Sequence, residues 1–520
     1  QKQAAGKSRS AERKNADTQF APSFQGRKQF FKSQLFRFHK HSLPVLSVMF
    51  HAFPSNLYRL YNIIFQNCKK IKCFCGKILL NKQILCSTYR KESIMKNTYD
   101  IIVVGGGLTG VAAACAAARR GADVLLVEAS GCLGGALAQN LVYPFMSNAT
   151  VFEENGVKKR VCLSQGFYKE LCDALRLTLP ETDLNTHRNE EFDMEHMKVL
   201  LDTLCVQSGV TLLFHATLCA VNSDGKRIRS ISVATKAGPI DLYADTFIDA
   251  TGDGDLMAFA GCAYRIGRDA DNLCQPMTLC FRVTGVNDDL FWDDFPKITP
   301  LYREFQKQGK IKNIREDVLM FRNLGKGIVH FNSTRVIKLN PVDPVDLSRA
   351  EVEARKQMIE LYNFVHENFE SFKDATLAFS AVSIGVRESR KLIGEYVLTQ
   401  EDLVSCRRFD DAVATGNYDI DIHNPAGTGT SHYYFKPGEY YTIPYRSFLP
   451  KEYDNLLVSG RCLSATHEAQ ASVRIMPICC CMGEAAGLAA FLAKENGGDV
   501  KKIDIATLHK MLDENGAKYC

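Results

Sequence analysis

Residues 99–135, YDIIVVGGGLTGVAAACAAARRGADVLLVEASGCLGG, constrain the fold more than any other stretch of the chain. Ile101–Val104 is a short apolar run of the kind a buried parallel strand shows. Gly105, Gly107 and Gly110 follow as GxGxxG. The first permits a tight turn, the second lets backbone approach a pyrophosphate, and the third lets a helix pack closely on the strand. Leu108 and Thr109 lie between the last two glycines and count with them as candidate cofactor contacts. The Ala-rich segment 111–118 is a good helix former, and its N-terminus offers free N–H groups and a positive dipole end to phosphate. A second strand, Val124–Val127, leads to Glu128 and Ala129, with Glu128 eighteen residues beyond Gly110. A carboxylate there accepts hydrogen bonds from a ribose diol and disfavours a 2′-phosphate. Strand, glycines, helix, strand and acid fall in order, which specifies an α/β, Rossmann-like dinucleotide site.

The extra GCLGG places Gly134 and Gly135 six and seven residues past Glu128. With that pair the sequence resembles the FAD-binding proteins of the glutathione reductase structural superfamily, and the resemblance implies FAD as cofactor. The flavin domain of that superfamily is discontinuous. Residues 191–255 read as a helix, a strand at 210–215, an antiparallel meander at 217–247 and a strand at 246–250. The turn that follows, Ala250, Thr251 and Gly252, resembles the superfamily's ATG return to the cofactor. In 453–494, Leu456–Ser459 is a short strand and Gly460 matches the glycine of the second flavin motif. Many members follow it with an Asp that binds ribitol; Arg461 stands here instead. Closer still, GVRESRKLIGEYVLTQEDL, IDIHNP, YYTIPYRSFLP, NLLVSGRCLSATHEAQASVRIMP and QPMTLCFRVTGV resemble the family called FAD-dependent oxidoreductases, from about Tyr99 to Ala517. Its fold is similar to the flavoproteins of fumarate reductase, where a second lobe caps the flavin. The implied layout is a FAD-binding domain in two parts, 97–264 and 451–517, with an inserted α+β substrate lobe at 265–450.

The formal charge of +6 is unevenly spread. Residues 1–94 hold 18 Lys/Arg against 3 Asp/Glu, and the remainder holds 46 against 55. The bulk is therefore acidic, and a nucleic-acid role is not expected. Residues 1–94 carry ten phenylalanines and three glycines without a sustained period. They read as a disordered, non-domain leader, an over-extended translation ahead of a start at Met95, with an organelle-targeting leader as the alternative. Nineteen scattered cysteines without a short disulfide framework fit a reduced, cytoplasmic setting. Cys68, Cys73, Cys75 and Cys86 lack paired CxxC spacing, and no metal site is expected. The most apolar run, 475–493, is interrupted by Pro477 and Glu484, and no membrane span is expected.

No second strand–GxGxxG–helix unit exists; GTGTSH at 427–432 reads as a loop. A dedicated nicotinamide domain is therefore not expected, and no cysteine pair follows Gly135. The sequence points to an enzyme moving a hydride between flavin N5 and a small organic substrate. The other reading is an electron-relay subunit served by a donor or acceptor protein. Polar candidates in the substrate lobe and after it are Arg387, Arg390, His423, His432, Tyr440, Tyr441, Arg446, His467 and Arg474. Arg446, His467 and Arg474 are the chosen catalytic set, because an Arg orients a carboxylate and a His exchanges protons near neutral pH. Arg387 and Glu388 read as neighbours on one helix, and Ser348 with Glu351 as a capping box. The run IMPICCCMGEAAG (475–487) opens a helix at Pro477. The resemblance aims that helix end at the flavin N1–C2=O edge. Successive side chains there point about 100° apart, so Cys479, Cys480 and Cys481 cannot converge on one metal and read as packing residues.

Overall fold

The computed structural model describes residues 95–322 and 325–520. The leader readings for 1–94 and the cysteine group at 68–86 lie outside the described residues. The chain first lays down β1 (Thr98–Val104), α1 (Leu108–Arg119) and β2 (Val124–Val127). After α2 (Met194–Ser208), capped by Asp193, come β3 (Thr211–Leu213), β4 (Thr217–Asp224), β5 (Arg227–Thr235) and β6 (Gly238–Asp249). These strands run β3-β2-β1-β6-β5-β4 across one sheet. β1 is parallel to β2 and to the second half of β6, with Ile101 beside both Val124 and Thr246. The first half of β6 returns antiparallel to β5, so this strand joins the parallel core to the meander.

A second, antiparallel sheet is built from β7 (Phe281–Thr284), β8 (Met320–Phe321), β9 (Val329–Phe331) and β10 (Thr376–Ser380), ordered β8-β9-β7-β10. Phe281 and Phe331 stack across it with ring centroids 4.6 Å apart. Helix α3 (Pro344–Asn368) starts one turn earlier than the expected capping box. Asp343 caps it by accepting from Val345 N and Asp346 N, and Pro344 takes the first-turn position that proline favours. Ser348 lies inside the helix and donates to Pro344 O, while Glu351 accepts from Ile384 N. Arg387 and Glu388 sit in irregular chain before the strand Arg390–Leu392, not on a helix. GTGTSH is not all loop either. β11 (Ile420–His423) and β12 (Thr430–Tyr433) form a hairpin whose register pairs His423 with Thr430 and Asp421 with His432. Arg335 secures the turn between them, donating to the carbonyls of Asn424, Gly427 and Gly429.

The chain then returns to the first sheet. β13 (Leu456–Val458) adds parallel to β6, and α4 (Met476–Ala493) packs on α1. A Cβ built on Gly483 would lie 2.1 Å from Thr109 O, and one on Gly487 2.1 Å from Ala113 O. Positions one turn apart share a helix face, so Cys479, Gly483 and Gly487 form one row along which the two backbones touch. By length and composition this helix could cross a membrane, but 83% of its apolar window is buried inside the protein. Gly487→Ala is expected to destabilise by about 1–3 kcal/mol through overpacking. The urea midpoint measures this, and an unchanged midpoint would mean the helices do not meet at their backbones.

Candidate active site

One cavity of about 800 Å³ runs from the glycine loop after β1 to the β11–β12 hairpin. That volume is at the upper end of the roughly 300–1,000 Å³ usual for ligand sites. Its first half is backbone-rich. Gly105 has φ +103°, and a Cβ there would meet Ala250 O at 2.5 Å; on Gly110 it would meet Gly105 O at 1.8 Å. Both glycines are demanded by the protein's own packing. Gly107 is different: a Cβ there would find only Gly135 Cα, at 3.9 Å, and Gly107 lines the cavity. Its missing side chain leaves room for a ligand rather than for a neighbour. Gly107 is also the N-cap of α1, and no side chain caps that helix end. Free N–H groups at an open helix start suit a pyrophosphate. Glu128 lines the same end, with Oε2 accepting from Gly106 N and Oε1 from Ser130 N, both at 2.7 Å. Gly134 N donates to Gly106 O, which docks the second glycine pair against the first loop. These residues fit FAD, the cofactor expected from the sequence.

Across the cavity stand Ala250, Thr251, Gly252 and Arg461. Asp249, fully buried beneath this turn, accepts from Thr251 N, Thr251 Oγ1 and Met257 N, and burial pushes its carboxyl up to about 6. Arg461 Nη2 pairs with Asp253 Oδ1 at 2.7 Å and Nη1 donates to Ser389 Oγ. A guanidinium neutralised by Asp253 thus replaces the Asp expected there. The first turn of α4, through Ile475, Met476 and Cys479, also opens on the cavity, again with no side-chain cap.

The far end is polar. Arg387 donates through Nη1 to Pro276 O and Thr278 Oγ1, and through Nη2 to Asn332 Oδ1 at 3.5 Å. Burial, then the nearby charges of Arg474 and Arg315, pushes it down to about 9. Arg474 Nη2 lies 3.4 Å from Asp421 Oδ2; Arg474 Nε and Asp421 Oδ1 are buried without a hydrogen-bond partner. His423 Nε2 faces Asp421 Oδ2 at 3.4 Å, and its Nδ1 faces Thr430 Oγ1 at 3.0 Å. Tyr418, Glu316 and His432 complete this wall, with His432 Nδ1 bonded to Asp419 Oδ2.

Of the residues singled out from sequence, Gly105, Gly107, Leu108, Thr109, Glu128, Gly134, Gly135, Ala250, Thr251, Gly252, Arg387, His423, His432, Arg461 and Arg474 line the cavity. Gly110 and Gly460 do not, because both are packing contacts; a Cβ on Gly460 would lie 2.6 Å from Thr109 Oγ1. Ala129 is exposed and off the cavity wall. Two of the three chosen catalytic residues, Arg446 and His467, do not line this cavity. Arg446 makes a two-pronged ion pair with Asp411, stands half-exposed against Tyr396, and does not line the cavity. Its closeness to the last strand in sequence did not bring it to the site. His467 is buried, with Nδ1 on Glu388, which also takes Lys391 and Gln275 N. Burial works against it, but His467 and Lys391 hold the Glu388 carboxyl below its ordinary value, a structural clamp behind Arg387. Asp421, Tyr418, Glu316 and Arg315 were not singled out. The signal for one of them was present: Asp419, Asp421 and His423 alternate along YDIDIH, the period that puts residues on one face of a strand.

Of the three consecutive cysteines only Cys479 lines the cavity. Its Sγ contacts Arg474 O at 3.3 Å, and burial pushes the thiol up to about 12. Cys481 turns toward Gln165 O, and burial likewise drives both other thiols up. The helix end does not activate a thiolate here, because desolvation outweighs it. Single Ser variants at 479, 480 and 481 should keep turnover largely intact at equal FAD occupancy, with some loss of stability. One inactive variant beside two active ones would make that sulfur catalytic. Gly107→Val should leave the fold intact and abolish FAD retention, read from the flavin absorbance of the purified protein. Glu128→Ala should weaken FAD binding by about 1.5–3 kcal/mol, measured by titrating the apoprotein.

No curated protein matches the chain. Among solved structures, similarity is found to a geranylgeranyl bacteriochlorophyll reductase-like protein from Thermoplasma acidophilum (12% identity, 80% of this chain and 84% of that one, TM-score 0.40). A p-nitrophenol 4-monooxygenase from Pseudomonas putida (11% identity, 81% and 84%, 0.37) and a myxobacterial chondrochloren halogenase (11% identity, 81% and 79%, 0.38) are similar at the same level. A family model described as FAD dependent oxidoreductase matches residues 100–512, most of the chain. The chain therefore belongs to the FAD-dependent oxidoreductase family, and its cofactor is FAD.

Proposed function

We propose that the protein oxidises or reduces a small organic substrate bound at the Arg387–His423–Arg474 end of the cavity. When bound, FAD supplies two-electron hydride chemistry at flavin N5. The chain's residues bind and orient the substrate, exclude water and exchange protons with it. The observation that carries the reading is that one continuous cavity joins the glycine-loop cradle to a cluster of charged groups. A relay subunit needs no such pocket beyond its cofactor. The wall of Phe321, Leu347 and Ile384 supplies the apolar surface that keeps water from the reacting centre.

The test is anaerobic mixing of the holoenzyme with panels of small organic reductants when oxidised, and oxidants after photoreduction. A flavin that changes redox state only with a protein partner would overturn the reading. Once a substrate is in hand, Arg474→Ala should lower kcat/KM by about 10–150-fold, the loss of one charge-assisted contact of about 1.5–3 kcal/mol. Arg446→Ala should leave kcat/KM unchanged, since its ion pair is half-exposed and outside the cavity. Equal losses in the two variants would show that the substrate end is misassigned.

A further inference from the structure

Arg315, Arg387 and Arg474 line the far end of the cavity with Arg335 behind Glu316, and three of these four arginines have a carboxylate. Arg315 Nε pairs with Asp317 at 2.7 Å, Arg335 Nη1 with Glu316 at 3.0 Å, and Arg474 faces Asp421. Arg387 makes no ion pair among the described residues, and the charge of Asp421 reaches it only at longer range. Its guanidinium is held by a carbonyl, a hydroxyl and an amide oxygen, all neutral. The neighbouring carboxylate, Glu388, points away to Lys391 and His467. Burying a cation without a counter-ion is costly, and such a charge at a cavity wall is a ready anion site. Arg474, whose Nε is buried without a hydrogen-bond partner, lines the same cavity.

His423 stands beside these two cations, and its hydrogen-bond inventory is unusual. Thr430 Oγ1 has one proton and two neighbours, Glu316 Oε1 at 2.8 Å and His423 Nδ1 at 3.0 Å. Despite burial, its own backbone N–H, Thr430 and Arg335 hold the Glu316 carboxyl below its ordinary value, so Glu316 is a carboxylate and takes the Thr430 proton. The Thr430 oxygen is then left to accept from His423 Nδ1–H. The other nitrogen, Nε2, faces Asp421 Oδ2. Burial opposes that charge too, but the bond to His423 and the positive charges around it hold the Asp421 carboxyl far below its ordinary range. Both ring nitrogens therefore face acceptors, the surroundings of an imidazolium. Burial and the Arg387 charge nevertheless push the ring down to about 3, with Arg474 adding to them. The remaining neighbours are Gln275, whose Oε1 takes the His423 backbone N–H, and His432 across the hairpin from Asp421.

We propose that this end of the cavity binds an organic anion, carboxylate-bearing, on Arg387 and Arg474, and that binding places a solvent proton on His423. The inference rests on the substrate site named above and gives its chemical class. An anion on the two guanidiniums cancels the repulsion that keeps the proton off, and the carboxylates at Glu316 and Asp421 are already arranged to hold the charged ring. Charge is conserved: one anion and one proton enter together, so the site gains the acid that a reduction needs or, in reverse, the base that an oxidation needs.

The experiment uses the oxidised holoenzyme titrated with malonate, succinate and benzoate and with their uncharged amides. Binding is read from the flavin spectrum and by calorimetry in two cationic buffers of different ionisation enthalpy. Carboxylates are expected to bind with uptake of up to one proton, their affinity falling as pH rises by at most about tenfold per unit. The amides should bind about tenfold more weakly or not at all. Arg387→Met should weaken carboxylate binding by about tenfold or more, with partial recovery in Arg387→Lys, both variants retaining FAD. His423→Asn should still bind the carboxylate but take up no proton. Failure of all three carboxylates to bind, amides that bind as well, an unaffected Arg387→Met, or unchanged proton uptake in His423→Asn would each overturn the proposal. None of these readouts uses turnover, so they stand apart from the test of the redox reading.

Discussion

The backbone contact between α1 and α4 underlies the rest of the site. Gly483 and Gly487 let α4 touch the carbonyls of Thr109 and Ala113, a separation that no side chain could bridge. Because the two helices are locked at that spacing, their uncapped N-termini open on the same cavity. One comes from the start of the domain and the other from nearly the end of the chain. Each offers backbone donors and a positive dipole end, α1 where Gly107 leaves room for a pyrophosphate and α4 further along the cavity. The row Cys479–Gly483–Gly487 is the physical content of the cysteine-rich run. Its cysteines fill space that a larger residue would prise open and a polar one would leave unsatisfied.

Electrostatics divides the cavity into two unlike ends. At the nucleotide end the charges are few and matched: Glu128 is tied to backbone N–H groups, and Arg461 is neutralised by Asp253. Binding there relies on backbone geometry. At the other end charges are dense, and the cation Arg387 makes no ion pair among the described residues. Holding such a group unpaired destabilises the folded state, and the clamp of Gln470 on the Arg387 carbonyl and of His467 on Glu388 keeps it in place. The fold thus keeps at the cavity wall a cation whose hydrogen bonds go only to neutral oxygens.

The hairpin β11–β12 shows how a distant segment sets the chemistry. Arg335, from just after β9, fixes the hairpin's turn through three carbonyls and also pairs with Glu316, which in turn takes Thr430. The position and tautomer of His423 therefore depend on a side chain 88 residues earlier. A lone histidine in a polar stretch says nothing of this.

The nucleotide half was legible in the sequence because its chemistry is local. A strand, a turn, a helix and an acid within about thirty residues of one another carry their geometry in their spacing. The choice of FAD and the return of the chain through Ala250–Gly252 and Gly460 were legible through resemblance. The far half was legible only as scattered polar candidates, Arg387, His423, His432 and Arg474 among them. Arg387, Asp421, His423 and Arg474 come from three segments, and only the alternation in YDIDIH hinted at a shared face. Arg446 and His467 looked better placed because they flank the last strand, but nearness along the chain does not say which way a side chain turns. Asp411 drew one to the surface and Glu388 held the other in the core. The amino-acid order by itself determined the cofactor cradle, where short-range backbone geometry does the binding. Which charged groups share the cavity, and which of them lacks a partner, was decided only by tertiary packing, because Coulomb and desolvation energies depend on distances between segments that sequence does not contain.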